Sequence, residues 1–184
     1  MRKVYEYSHL GGLEILRVRY PVIESEIDEI IEEVQATKTK ISKEKGKIGK
    51  LLYDPKEMNR AFRWAFAKRG FKELRSYHDM RFPYEDERLV SDSVKVFKQI
   101  DFQKDRVLVE VQLGKYAFMF YDLAKFQYFF NEGHCDAGVE IVPAYALHKE
   151  MSSGVSYGEQ LIEDIERLKR HFPAVPIKVI LIDI

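Results

Sequence analysis

Three apolar, β-branched runs alternate with helix-period segments through the second half of the chain, and this alternation constrains the fold more than any other feature. Arg106–Leu113 alternates visibly, while Val139–Val142 and Val175–Ile184 are short and apolar. Between them lie Tyr116–Asn131, apolar nearly all round with Gly133 as its stop, and Tyr157–His171, amphipathic through Leu161, Ile162, Ile165 and Leu168. Pro143–Ser156 reads as a loop. Upstream, Val94–Phe97 leads into Ile100–Phe102, which pairs with the Arg106 run as a hairpin through the polar turn Gln103-Lys104-Asp105. Strands and helices in alternation predict an α/β fold, a central mixed β-sheet flanked by helices.

The front of the chain adds two helices. Val22, Ile23, Ile27, Ile30, Ile31 and Val34 recur at three- and four-residue steps, with Ser25 able to cap the start and six acids from Glu24 to Glu33 on the outer face. Asp54-Pro55-Lys56-Glu57 is a strong start signal, with an N-cap acid, proline at the first helical position and an acid in the first turn. Met58, Ala61, Phe62, Ala65 and Phe66 give that second helix its apolar stripe, and Gly70 its stop. The lysine-rich stretch Lys38–Lys50 has no period and reads as a loop. Phe71–Asp92, charged, aromatic and broken by Pro83, reads as irregular.

With 184 residues, no repeat and no linker, residues 1–184 are expected to form a single domain. Hydrophobic residues at 46% argue against disorder. Basic and acidic side chains number 30 each, so overall charge does not steer the chain toward DNA or a membrane; any such attraction must come from local segregation. The lysine run, with six lysines against one glutamate, is such a segregation. One cysteine, Cys135, excludes an internal disulfide and a cysteine-rich zinc site. No run reaches a membrane span, and the first residues lack a signal-peptide core, so a cytoplasmic location is expected.

The chemistry centres on the hairpin. Val107, Val109 and Val111 point to one face, and Leu108, Glu110 and Gln112 to the other. Pairing across the turn brings Asp101 close to Glu110. Two carboxylates held together repel unless a cation joins them, and hard oxygen ligands select magnesium or a similar ion. Such an ion orients water against a phosphate and neutralises the charge that develops there. The spacing alone also fits an ordinary charged turn.

The string Ile100 to Phe118, reading IDFQKDRVLVEVQLGKYAF, resembles the active-site hairpin of the BglII/BstYI family of type II restriction endonucleases. Tyr7–Leu10, Gly12–Glu14, Ser42–Lys45, Val139–Pro143 and Lys149–Tyr157 resemble the BstYI branch most closely, and Leu51–Pro55 with Asn59 resembles both branches. Agreement in order from the N-terminus to about Tyr157 covers most of the chain.

The resemblance implies a PD-(D/E)xK nuclease fold, a homodimer, and double-stranded DNA as substrate. It implies a palindromic site with a GATC core, cut before the G to leave four-base 5′ overhangs and 5′-phosphates, and a cognate DNA methyltransferase as functional partner. Asp101 and Glu110 match the magnesium-binding carboxylates, with the main-chain carbonyl of Val111 as a third ligand. Gln112 stands where most of the superfamily has lysine, and the resemblance implies glutamine there for this branch. A neutral amide can orient water or the phosphate but supplies neither a base nor a positive charge. Lys115 matches a position that reaches base edges, where a lysine donates to guanine O6 or N7. Ser152, Ser153 and Ser156 lie in a loop resembling the second recognition element.

Lys43, Lys45 and Lys47 belong to the lysine run, which in a nuclease dimer serves as a clamp on DNA phosphates rather than as a solvated loop. His134 and Cys135 lack a partner cluster and read as structural. Between Phe71 and Val94 the chain is shorter than the BstYI branch. Two other readings stay open at this stage: a same-fold repair or structure-specific nuclease, and a DNA-binding protein that has lost cleavage.

Overall fold

A computed structural model describes residues 1–82, 84–85 and 93–184. The elements run β1 (Arg2–His9), α1 (Gly12–Arg19), α2 (Pro21–Glu33), β2 (Lys38–Ile41), β3 (Leu51–Tyr53), α3 (Pro55–Lys68), β4 (Lys72–Met80), β5 (Val94–Lys104), β6 (Val107–Val111), α4 (Tyr116–Asn131), β7 (Ala137–Pro143), α5 (Tyr145–Lys149), α6 (Gly158–Leu168) and β8 (Ile177–Asp183). Six strands form one sheet in the order β1-β8-β7-β6-β5-β4, and β2 pairs with β3 apart from it. The β6-β7-β8 centre is parallel, and the flanking pairs are antiparallel. The expected mixed sheet flanked by helices is therefore what forms.

The parallel centre explains the apolar runs. Every residue of β6 and β7 is buried, because helices cover both faces. On one face α1, α2 and α3 pack against Val107, Val109 and Val111, with Phe62 and Phe66 at the centre. On the other, α4 and α6 pack against Leu108, Val142 and Val179. The period-2 reading of β6 is thus realised, and it turns Glu110 toward α4.

A close approach holds α4 in place. A Cβ on Gly138 of β7 would come within 2.6 Å of the Phe126 ring, so only glycine lets this helix lie flat on the strand. Phe126 is itself fully buried; truncating such a ring to alanine costs about 3–5 kcal/mol. The helix so seated carries two of the charged groups described below.

At α3, Asp54 caps as expected, accepting from the Lys56 N–H at 3.0 Å, and Gly70 follows the helix with φ +81°. Five readings are corrected. Ser25 does not cap α2, which begins at Pro21 after Tyr20; the proline fixes the start. Lys38–Lys50 is not all loop: Lys38–Ile41 is β2, whose four residues are all exposed, so no apolar alternation marks it. Phe71–Asp92 contains β4, an edge strand with both faces largely exposed, for the same reason. Pro83 and residues 86–92 of that stretch lie outside the described residues. Pro143–Ser156 contains the short helix α5. The hairpin turn is shorter than expected: β5 continues through Lys104, leaving Asp105 at φ +50° and Arg106 to turn the chain. β1 and α1 had no counterpart in the sequence reading.

Candidate active site

The β5–β6 ladder pairs Lys104 with Val107, Gln103 with Leu108 and Phe102 with Val109, and Asp101 follows where that pairing ends. The Asp101 N–H donates to Glu110 Oε1 at 3.3 Å. Glu110 is only 3% exposed. The next strand brings a third carboxyl beside it, since the parallel β6–β7 register pairs Glu110 with Glu140. Glu140 is completely buried, and neither of its carboxyl oxygens has a hydrogen-bond partner.

Helix α4 completes the cluster. Asp122 and Lys125, three residues apart, face the strands together. Lys125 Nζ lies 2.5 Å from Glu110 Oε1 and 2.7 Å from Asp122 Oδ1. The Gln112 amide donates to the other Asp122 oxygen at 2.9 Å. Gly114 leaves room for that amide, since a Cβ there would lie 2.7 Å from Gln112 Oε1. Of the four carboxyls, Glu110 and Asp122 pair with the ammonium, and Asp122 also accepts from the neutral amide.

The electrostatics follow from this excess of acid. Burial, then Asp122, pushes the Glu110 carboxyl above its ordinary range against the pull of Lys125. Burial raises Asp122 and raises Glu140 further, with neighbouring carboxylates adding to it. Burial opposes the charge of Lys125, but Glu110 and Asp122 outweigh it and hold the ammonium protonated.

Glu140 supplies a pH prediction for the metal-free protein. Its native form binds a proton more tightly than the unfolded chain does. Its contribution to stability therefore falls as pH rises from the ordinary carboxylate range toward the raised value, by about 1.4 kcal/mol per unit of difference. Glu140→Gln, unable to ionise, is expected to raise the melting temperature at pH 8 by several degrees, with little gain near pH 4. Scanning calorimetry in chelator at both pH values checks this; an equal shift at both would mean that packing, not ionisation, is responsible.

An all-oxygen donor set with surplus negative charge fits a hard divalent cation. Among the described residues no three His, Cys, Asp or Glu side chains stand in a ready metal-holding group. Asp101 and Glu110 would thus need the Val111 carbonyl and water to complete a shell, which suits magnesium, an ion that keeps several waters. Asp101 lines a cleft of about 410 Å³ together with Phe97, Lys98, Gln99, Tyr121 and Lys125, while Glu110 itself is buried.

The sequence-derived recognition residues lie in two segments joined by a hydrogen bond. Lys115 occupies the N-cap position of α4 and is exposed. The Ser156 N–H donates to the Gly114 carbonyl at 2.8 Å, tying the serine loop to the residue preceding Lys115. Ser153 is exposed, Ser152 half-buried and accepting from Lys40 Nζ at 2.5 Å, and Ser156 buried.

The lysine run grips this loop. Lys47 donates to the carbonyls of Lys149 and Met151, and Glu44 accepts from the Ser153 N–H. Lys38 and Lys50 pair with Glu150 and hold its carboxyl down to about 2. Lys47 therefore turns inward, whereas Lys43 and Lys45 are exposed.

Asp122, Lys125 and Glu140 were missed by the sequence reading. Their signal was present: each is a charge set in an otherwise apolar helix or strand.

No curated protein sequence matches the chain significantly. Among solved structures it is similar to the restriction endonuclease BglII complexed with a DNA 16-mer, with a TM-score of 0.72 and 22% identity over 97% of this chain and 76% of that one. Free BglII gives a TM-score of 0.66 and 16% identity over 98% and 79%. Identities this low speak to the fold, and closeness to the BstYI branch in particular has no counterpart in these matches. The family model described as restriction endonuclease BglII/BglIII, however, matches residues 4–182, nearly the whole chain, cluster and recognition segments included. The chain accordingly belongs to the BglII/BglIII family of restriction endonucleases, which are type II site-specific deoxyribonucleases.

Proposed function

We propose that the chain is a magnesium-dependent endonuclease that acts as a homodimer. It cuts both strands of a palindrome with a GATC core before the G, leaving four-base 5′ overhangs and 5′-phosphates. The observation carrying this reading is the Asp101–Glu110 pair, joined across the hairpin by the hydrogen bond from the Asp101 N–H to Glu110 Oε1, with Asp101 lining a cleft. The GATC core and the position of the cut rest on the resemblance of the hairpin and of the loop around Ser152. Enzymes of the family depend on divalent metals; the all-oxygen donors favour magnesium among them.

Asp101, Glu110 and the Val111 carbonyl would hold that ion, whose chemistry is to lower the pKa of water and neutralise charge on the reacting phosphate. The protein's own groups do the rest. Gln112, fixed through Asp122, offers hydrogen bonds but no charge. Lys115, with Ser152, Ser153 and Ser156, reads the base edges. Lys43 and Lys45 reach phosphates, while Lys47 braces the recognition loop and acts on DNA through it. A cognate methyltransferase would protect the host's own sites in the same cytoplasm. Among the described residues no helix is long and apolar enough to cross a membrane.

Digestion of sequenced plasmid DNA with magnesium, followed by sequencing of the fragment ends, tests the proposal. Cuts before the G of GATC support it; ends at unrelated sequences or at branched structures refute it. A double-strand cut at a palindrome needs two symmetry-related centres. Analytical ultracentrifugation is accordingly expected to find a dimer with a cognate duplex in calcium, and a monomer under that condition would contradict the model.

A further inference from the structure

Resting on this cleavage centre, we propose that Lys125, projecting from α4, is a catalytic residue that supplies the positive charge facing the scissile phosphate, a charge that Gln112 lacks. Lys125 and Gln112 contact the two oxygens of one carboxylate, that of Asp122, so their heads share one location. Their chain origins differ: Gln112 follows β6, and Lys125 comes from the helix above it.

Exposure orders the cluster from inside to outside. The Glu110 and Asp122 side chains are 4% and 3% exposed, but Lys125 is 13% exposed. Lys125 lines the same cleft as Asp101, as does Lys98, but only Lys125 is paired with the Glu110 and Asp122 carboxylates. A phosphate brought to a metal on Asp101 would therefore meet Lys125 on the cleft wall. The flexible four-carbon stem lets the head turn without moving the helix. With Glu110 committed to the metal, the ammonium keeps Asp122 and directs its remaining donors into the cleft. A preorganised donor aimed at developing charge is worth about 10²–10³ in rate.

A purely structural role has different consequences. As a counter-ion alone, Lys125 would only hold Glu110 and Asp122 in place, and its loss would spoil the metal site. As the phosphate-facing cation it competes for Glu110 in the DNA-free protein, and its loss should improve metal binding.

The test measures single-turnover cleavage of a GATC duplex in magnesium by wild type, Lys125→Met, Lys125→Arg and the double variant Lys125→Met/Gln112→Lys. Calcium affinity of the same DNA-free proteins is measured by titration calorimetry. Lys125→Met is expected to cut about 10²-fold more slowly or worse and to bind calcium at least about threefold more tightly. Lys125→Arg, which keeps the charge and the ion pairs, should fall between Lys125→Met and wild type. The double variant, with the ammonium restored from the strand, should recover about tenfold or more of the lost rate.

Cleavage by Lys125→Met within threefold of wild type overturns the role of Lys125 alone. Weaker calcium binding, or no recovery in the double variant, assigns Lys125 to structural support and likewise overturns it. If Lys125→Met does not fold, the arginine and double variants decide: wild-type rate from the first or none from the second is contrary. A wild-type protein that cuts no DNA overturns the cleavage reading itself, and this role with it.

Discussion

Asp101→Ala is expected to abolish cleavage while leaving binding of cognate DNA in calcium within a few-fold of wild type. The side chain removed is proposed to be a metal ligand and not a phosphate contact. A metal positioned on the phosphate supplies several kcal/mol of transition-state stabilisation, and about 1.4 kcal/mol is tenfold in rate. Loss of that site therefore costs roughly 10³-fold or more. Glu110→Ala should be equally inactive, but it also removes a partner of Lys125 and of the Asp101 N–H, so Asp101→Ala isolates the metal more cleanly. Single-turnover kinetics and gel shifts check both halves. Residual cleavage above about a hundredth of the wild-type rate in either variant would place the metal elsewhere.

Lys115→Ala should change which site is preferred, with only a modest change in general affinity. The residue is exposed at the N-cap of α4, three positions beyond Gln112, and its backbone neighbour Gly114 is hydrogen-bonded to the serine loop. This ties the two candidate recognition segments together close in sequence to Gln112. A lysine–guanine contact discriminates by about 1–3 kcal/mol, one to two orders of magnitude in site choice. A phosphate contact behaves differently, since its loss weakens all sequences alike and lowers the salt slope by about one unit. Binding of GATC and single-mismatch duplexes at several salt concentrations separates the two. Equal loss on every duplex with a reduced slope would make Lys115 a backbone clamp.

The parts of the fold readable from sequence are those where burial is one-sided or complete. The alternation of Val107, Leu108 and Val109 gave the two faces of β6, and Asp54-Pro55 gave the start of α3, because each encodes a local physical requirement. β2 and β4 escaped notice since neither buries a face, so no period-2 pattern was selected. The closeness of Asp101 to Glu110 was readable because a tight antiparallel turn brings residues that flank it in sequence together. The other half of the site was not. Lys125 and Glu140 reach Glu110 only after α4 has crossed over the sheet and β7 has paired in parallel with β6. Periodicity places a charge on a helix but does not say which strand the helix will cover. The lysine run shows the same gap: its charges suggested DNA, whereas Lys38, Lys47 and Lys50 are engaged in holding the loop of Lys149 to Met151.

The claim that Asp101 and Glu110 form the metal-binding cleavage centre is tested most directly by anomalous diffraction from crystals of the protein with a GATC duplex and manganese. An anomalous peak bonded to the Asp101 and Glu110 carboxylates and to the Val111 carbonyl, against the phosphate to be cut, is expected. Manganese-dependent cleavage by the same preparation with no peak between those residues, or with the metal bound elsewhere on the chain, would contradict it.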